Sequence, residues 1–207
     1  MMSKDPKPSA GIHWTPSLYN KISKVYDLAA RLFFPIGKKG HLKVIEAMRE
    51  GSILDVACGT GTLLAMASQI GMCCYGVDTS KGMLSQAYDK VPQANLRLAS
   101  FYEMPFSDSS FDYVVETNAV SGVEIEAERV LKEMIRVCKV GGEIRIADYA
   151  KPPRPSGLSK FMERMLIWVG DFAYDYKRTF GEFGYDPDVE ILGWNGMYQF
   201  IRVKKTA

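Results

Sequence analysis

Ile53-Leu54-Asp55-Val56-Ala57-Cys58-Gly59-Thr60-Gly61, followed seventeen residues on by Asp78, decides how this chain is read. Ile53, Leu54 and Val56 form the short apolar run of a buried parallel strand, and Gly59 and Gly61 permit a tight turn after it. From Thr62 to Ile70 apolar residues recur at helical spacing (Leu63, Leu64, Ala67, Ile70), so the segment is strand, glycine turn, helix. A ligand can approach the backbone there and meet the helix N-terminus. The next apolar run, Cys73 to Val77, ends in Asp78, whose carboxylate can accept from both hydroxyls of a ribose. Two neighbouring strands thus bring glycines to one end of a nucleoside and an acid to its sugar.

A dinucleotide-binding fingerprint also pairs glycines with an acid about 20 residues on. Here Leu64 fills the slot of its third glycine, which argues against a nicotinamide-dependent oxidoreductase. Asp55, four residues before Gly59, would repel a pyrophosphate, whereas it suits a cationic amino-acid tail reached through water.

The 207 residues, 47% hydrophobic, suffice for one well-packed domain and are too few for two ordinary ones. A net charge of +2 gives no polyelectrolyte field for nucleic acid. No apolar stretch approaches ~20 residues and the N-terminus lacks the apolar core of a secretory signal, so the expected location is cytoplasmic. Cys58, Cys73, Cys74 and Cys138 lie in or beside segments expected to be buried and are read as reduced core residues. Two histidines, His13 and His41, offer no metal cluster.

Residues 1–16 carry three prolines and are expected to be a mobile tail; 17–207 form a single domain. Leu18, Ile22, Val25, Tyr26, Ala29, Leu32 and Phe33 recur at helical spacing, with Lys21, Lys24 and Arg31 on other faces: a basic amphipathic helix. Pro35 to Gly40 breaks the pattern and His41 to Arg49 resumes it. Helices follow over Lys81 to Lys90 and Glu126 to Cys138, the latter ended by Gly141-Gly142. Strands follow over Asn95 to Ala99, Phe111 to Glu116 and Glu143 to Ala147. Strands alternating with helices argue an α/β fold, a doubly wound and mostly parallel sheet. Val189 to Trp194 and Met197 to Val203 flank Asn195-Gly196, a hairpin signal, so the sheet ends in an antiparallel pair. Glu124, Glu126 and Glu128 read as a solvated helix start that suits the dipole.

The first motif, Gly-Val-Asp-Thr-Ser-Lys-Gly-Met-Leu (76 to 84), Tyr-Glu-Met-Pro-Phe-Ser-Asp-Ser-Ser-Phe-Asp (102 to 112), and Leu131 to Ile144 with Glu133, Arg136-Val137 and Gly141-Gly142 together resemble class I S-adenosylmethionine-dependent methyltransferases. The terminal hairpin fits the antiparallel last strand of that seven-stranded, Rossmann-like fold. Within the class the chain looks most similar to menaquinone and ubiquinone C-methyltransferases, through Val25-Tyr26-Asp27-Leu28, Ile146 to Pro152 and the ending Gly196 to Lys205. It departs from them at Asn118-Ala119-Val120-Ser121-Gly122, where that group carries Phe-Gly-x-Arg-Asn, and between the fifth and sixth strands, which looks shorter. Bacterial phospholipid N-methyltransferases are similar in length and in a basic N-terminal helix, and small-amine enzymes belong to the same broad class.

The resemblance implies S-adenosyl-L-methionine as cofactor and S-adenosyl-L-homocysteine as product, bound by Asp55, Ala57, Gly59, Thr60 and Gly61, by Asp78 and Thr79, and by Ser100 and Phe101 at the adenine. Thr117 and Asn118 fall beside the sulfonium. Ala57 stands where many members have glycine, an exchange tolerated if its φ is negative. Met83 flanks the adenine or fills core. Tyr26 gates the cofactor or fills the amphipathic stripe. Tyr26, His41, Asn118 and Tyr149 are the catalytic candidates, with Tyr19 and Trp168 as further acceptor-side groups. His41 is a base near neutral pH or a packing residue. Residues 17–40 and the aromatic-rich 156–180 form a lid over a small, apolar or amphipathic acceptor, quinone-like or lipid, or else pack as ordinary helices. Lys21, Lys24, Arg31, Lys38 and Lys39 can hold the enzyme peripherally on anionic lipid at the inner membrane surface. A noncatalytic protein that binds the same ligand is the remaining alternative. Oligomeric state is not legible.

Overall fold

The computed structural model describes residues 15–33, 35–122, 126–170 and 172–206. His13, Glu124 and the expected tail up to residue 14 lie outside them. Seven strands form one sheet: β1 (Ser52–Val56), β2 (Cys73–Asp78), β3 (Asn95–Leu98), β4 (Phe111–Thr117), β5 (Cys138–Tyr149), β6 (Asp188–Gly193) and β7 (Tyr198–Lys204). The order is β3-β2-β1-β4-β5-β7-β6, with β7 alone antiparallel to its neighbours. The helices are α1 (Pro16–Phe33), α2 (Ile36–Ile45), α3 (Thr62–Gln69), α4 (Lys81–Lys90), α5 (Ala127–Val137), α6 (Gly157–Val169) and α7 (Tyr176–Glu182).

The central strands are apolar on both faces because helices cover both. Ile53, Leu54 and Val56 of β1 are fully buried. One face packs against α2, α3, α4 and α6 through Val44, Leu64, Ala87 and Leu166. The other packs against α5 and α7 through Val130, Leu131, Met134 and Phe180. In α5 the buried residues are Ala127, Val130, Leu131, Met134 and Val137, the spacing of one helical stripe. Arg136 and Glu133 on that helix grip the loop before β4: Arg136 donates to the carbonyls of Met104 and Phe106, and Glu133 accepts from the Met104 N–H.

Three expectations are corrected. α2 starts at Ile36 rather than His41, since Pro35 suits a helix start and Gly40 lies where any Cβ would strike the Tyr198 hydroxyl. It ends at Ile45 rather than Arg49, as the chain turns with Ala47 at φ 55°. The helix before β5 stops at Val137, and β5 starts at Cys138: Phe111 pairs with Cys138 and Tyr113 with Glu143, so Gly141-Gly142 lies in an irregularity within the strand. Cys73, at the head of β2, is exposed, whereas the other three cysteines are buried.

Arg145 of β5 fastens α2 to the sheet. Buried, it donates to the carbonyls of Val44 at 2.8 Å and Glu46 at 2.7 Å, bonds Glu143 at 2.7 Å and lies over the Tyr113 ring. It thereby satisfies carbonyls that a helix C-terminus leaves open. Arg145→Met should lower stability by about 3 kcal/mol, read from urea unfolding, because those carbonyls lose charge-assisted donors.

Candidate active site

Parallel pairing carries the C-terminal ends of β1 to β4 to one edge, and backbone bonds tie them beyond the strands: Cys58 N–H to the Val77 carbonyl at 2.9 Å, Ala99 N–H to Asp78 at 3.1 Å, and Asn118 N–H to Ala147 at 3.2 Å. The Asp78 carboxylate accepts from the Gly59 N–H at 2.9 Å and the Ser80 N–H at 2.8 Å, one on each oxygen. The Thr79 N–H also favours its charged form, and the carboxylate keeps room for a further donor. Burial pushes the Asp78 pKa up, and those N–H groups hold it back.

Gly59 has φ 51° and space where a Cβ would stand, so the loop's outer side is open to a ligand. Gly61, at φ 75°, is closed: a Cβ would come within 2.9 Å of the Ala87 Cβ, so glycine lets α4 pack on the loop. Ala57 overturns the expectation of a negative φ. It sits at φ 65°, in the left-handed region, where its Cβ costs about 1 kcal/mol relative to glycine. Asp55 is 2% exposed, and its Oδ1 has no hydrogen-bond partner among the described residues. Burial first, then the nearby Asp78, raises its pKa well above the usual carboxylate range. An open glycine loop over an orphaned carboxylate oxygen fits a ligand with ribose hydroxyls and a cationic tail.

Of the adenine candidates, Thr79 is exposed and Met83 buried; the Ser80 hydroxyl accepts from the Met83 N–H and so caps α4. The Ser100 hydroxyl accepts from the Tyr102 N–H at 3.2 Å, and the half-buried Phe101 ring packs edge-on against Tyr102. At the end of β4, Thr117 is half-buried and Asn118 is exposed with φ 57°. Tyr149 is buried beside Trp194 and Tyr198, at centroid distances of 5.3 and 5.4 Å. The Tyr198 hydroxyl donates to the Ala147 carbonyl and meets the Asn118 side chain; burial raises its pKa.

Above this edge lies α1, held at two points that the sequence reading did not single out. Asn20 Oδ1 accepts from the Ser80 hydroxyl at 2.8 Å and the Gly82 N–H at 2.7 Å. Asp27 accepts from the Thr60 hydroxyl at 2.6 Å and from Lys90, which also donates to Thr60 and Thr62. The available signal was polar: Asn20, Ser23 and Asp27 repeat at helical spacing beside the apolar stripe. Tyr26 is half-buried, its ring 6.0 Å from that of Tyr19. Trp168 is exposed on α6.

Two further acids, Glu116 and Asp148, are fully buried on the α5 and α7 face. Glu116 accepts from the N–H groups of Ala119 and Val120; Asp148 accepts from the Ser121 and Tyr149 N–H groups and the Tyr176 hydroxyl. They clamp the loop that carries Asn118, and burial raises the pKa of both. His41 is half-buried; burial lowers its pKa to about 4, against the pull of Asp27, with Lys90 lowering it further. Its imidazole is therefore neutral at pH 7 and a far weaker base than the sequence suggested.

A methyltransferase domain family model matches residues 54–146. The chain is 34% identical over 174 residues to a phosphatidylethanolamine N-methyltransferase of Cereibacter sphaeroides, covering 76% of this chain and 81% of that protein. It is 29% identical over 180 residues to a demethylmenaquinone methyltransferase of Listeria welshimeri, covering 81% and 76%. The solved structure of phosphoethanolamine N-methyltransferase 2 of Haemonchus contortus with S-adenosyl-L-methionine matches with a TM-score of 0.67 at 17% identity, covering 84% of this chain and 53% of that one.

The His41 environment has a measurable consequence. Its folded pKa of about 4 lies below the unfolded value of 6.5, so as pH falls the unfolded chain takes the proton first. Stability is lost between pH 6.5 and pH 4, by an amount on the order of 2 kcal/mol after discounting for the solvated part of the ring. Raised carboxyls act in the opposite sense, so the difference between wild type and His41→Gln isolates the effect. Denaturation at pH 7 and pH 4.5 should show wild type losing more stability; equal losses would contradict it.

Proposed function

This chain belongs to the class I S-adenosylmethionine-dependent methyltransferases, and we propose that it transfers the methyl group to the nitrogen of an amphipathic, lipid-like amine. The observation that carries this reading is the charge of the catalytic edge. Among the described residues the buried acids are Asp55, Glu116 and Asp148, and the one buried base, Arg145, is committed to Glu143 and the last carbonyls of α2.

Bound S-adenosylmethionine supplies a methyl group activated by its sulfonium. A neutral amine brings its own lone pair, and its methylation leaves an ammonium. Positive charge therefore stays at the acid-rich edge from reactant to product. A phenolate or carbanion would find no cation there to stabilise its charge, since Asn118 to Gly122 contains no arginine. The 34% identity to a phosphatidylethanolamine N-methyltransferase supports the same reading.

In this scheme Asp78 accepts from the ribose hydroxyls. Ala57, Gly59, Thr60 and Gly61 present backbone to the amino-acid tail, with Asp55 reaching its ammonium through water. Thr79, Met83 and Phe101 flank the adenine, and Ser100 bonds its amino group. Thr117 and Asn118 lie beside the sulfonium. Tyr26, brought down by α1, closes the site against water, and Asn118 and Tyr149 orient the amine; alignment and exclusion of water are the protein's main contribution. His41 at pKa about 4 takes no proton at pH 7, so the acceptor ammonium loses its proton to solvent before reaction.

Asp78→Ala should raise the dissociation constant for S-adenosylmethionine by about thirtyfold or more, measured by calorimetry, since two hydrogen bonds to a charged acceptor are lost. The acceptor test incubates the protein with methyl-labelled S-adenosylmethionine and, separately, phosphatidylethanolamine, a demethylated quinol and a short-chain amine. Label on the phospholipid nitrogen is expected. Label confined to a quinol carbon would overturn the amine reading, and label confined to the short amine would overturn its lipid part.

A further inference from the structure

Helix α6 carries a second apolar stripe beside its inward face. Leu166 and Met162 face inward and pack on the core. Leu158, Phe161, Met165 and Trp168, spaced three, four and three residues apart, form a second stripe that is 59%, 59%, 52% and 67% exposed. An apolar stripe of this size, ending in a tryptophan, is not accounted for by packing among the described residues. The same holds on α1, where Val25, Leu28 and Leu32 are exposed in one row beside Lys21, Lys24 and Arg31. α6 packs on the same side of the sheet as α2, which α1 contacts.

Charge says what covers them. Residues 16–45 carry six bases and one acid, and residues 151–168 four bases and one acid. Ten bases against two acids sit in a chain of net charge +2, so the remainder of the molecule is net negative. Lys151, Arg154, Lys160 and Arg164 are exposed around the α6 stripe. Apolar and aromatic side chains ringed by cations match the two layers of an anionic lipid surface, acyl chains beneath charged head groups. We infer that the outward stripe of α6, together with that of α1, docks this protein on an anionic phospholipid bilayer. Phe161 and Trp168 enter the boundary of the acyl layer, and the flanking lysines and arginines meet the phosphates. The surface gives a lipid acceptor a route to the site and in that sense rests on the proposed function, but it is measured without turnover.

The test sediments the full chain with vesicles of phosphatidylcholine, with and without phosphatidylglycerol. Wild type should bind the phosphatidylglycerol vesicles at least about tenfold more tightly at low salt. The paired change Phe161→Ser with Trp168→Ser should weaken that binding about tenfold or more, while circular dichroism and affinity for S-adenosylmethionine stay unchanged. Lys160→Gln with Arg164→Gln should weaken binding to anionic vesicles only. Tryptophan emission should shift to the blue on vesicle addition in wild type and shift less in Trp168→Phe. Absence of binding at low salt, or equal binding by the serine variant, would overturn the inference. So would a wild-type dimer that the serine variant turns into a monomer, which would make a second copy the occupant. A chain that binds vesicles yet methylates no lipid amine overturns the acceptor reading alone. One that methylates detergent-dispersed phosphatidylethanolamine and ignores vesicles overturns the docking surface alone.

Discussion

The Asp78 carboxylate, bonded at once to the Gly59 and Ser80 N–H groups, is the constraint from which the rest of the site hangs. Pairing of Val56 with Val77 sets the register, so Asp78 follows β1's last partner and faces the backbone of the turn. Ser80 then caps α4 and offers its hydroxyl to Asn20 of α1. Thr60, in the turn, offers its hydroxyl to Asp27, two turns further along α1. Both fastenings of α1 thus rest on backbone that Asp78 positions. A shift in the carboxylate would move the cofactor loop and the helix above it together.

Burial makes this edge responsive to charge. Asp55, Asp78, Glu116 and Asp148 all have raised pKa values, with desolvation the first cause in each. A cation brought to the edge favours the ionised form, and by reciprocity the ionised form favours the cation. The backbone donors to Glu116 and Asp148 keep that charge from distorting the Asn118 loop, because each carboxylate already has N–H partners fixed in place. A cation at this edge would therefore meet carboxyls that it helps to ionise, beside a loop already held by backbone donors.

How much of this was legible depended on the kind of signal. The glycine turn, the acid seventeen residues on and the hairpin are local patterns, and β1, β2, α4 and the β6–β7 pair fall where those patterns put them. The irregular start of β5 was hidden because a glycine pair reads as a helix stop, whereas here the bulge opposite Phe111 and Tyr113 absorbs it. Gly40 read as a breaker, yet its role is to admit the Tyr198 ring, from a strand 158 residues away in sequence. Asn20, Asp27 and Lys90 were missed for the same reason: their importance is in partners on other elements, and no spacing rule joins residue 27 to residue 90. The positive φ of Ala57 was also out of reach, since alanine gives no local sign of a left-handed turn.

The fastening of α1 is also the part of the structure best suited to opening. Lys90 and Asp27 are 31% and 48% exposed, and a pair in that setting contributes roughly 1 kcal/mol or less. Of the Asn20 bonds the one to Gly82 is exposed, and α1 leaves Val25, Leu28 and Leu32 exposed, so little apolar area anchors it. By contrast Asp78, Ser80 and the glycine turn belong to the buried sheet edge. The energetic boundary therefore runs between α1 and the loop beneath it. A helix held by a few polar bonds belongs to the regions expected at the low end of local stability. The same weak attachment leaves α1's outer row of apolar and basic side chains free to meet another surface, which would stabilise whichever position of α1 presents that row best.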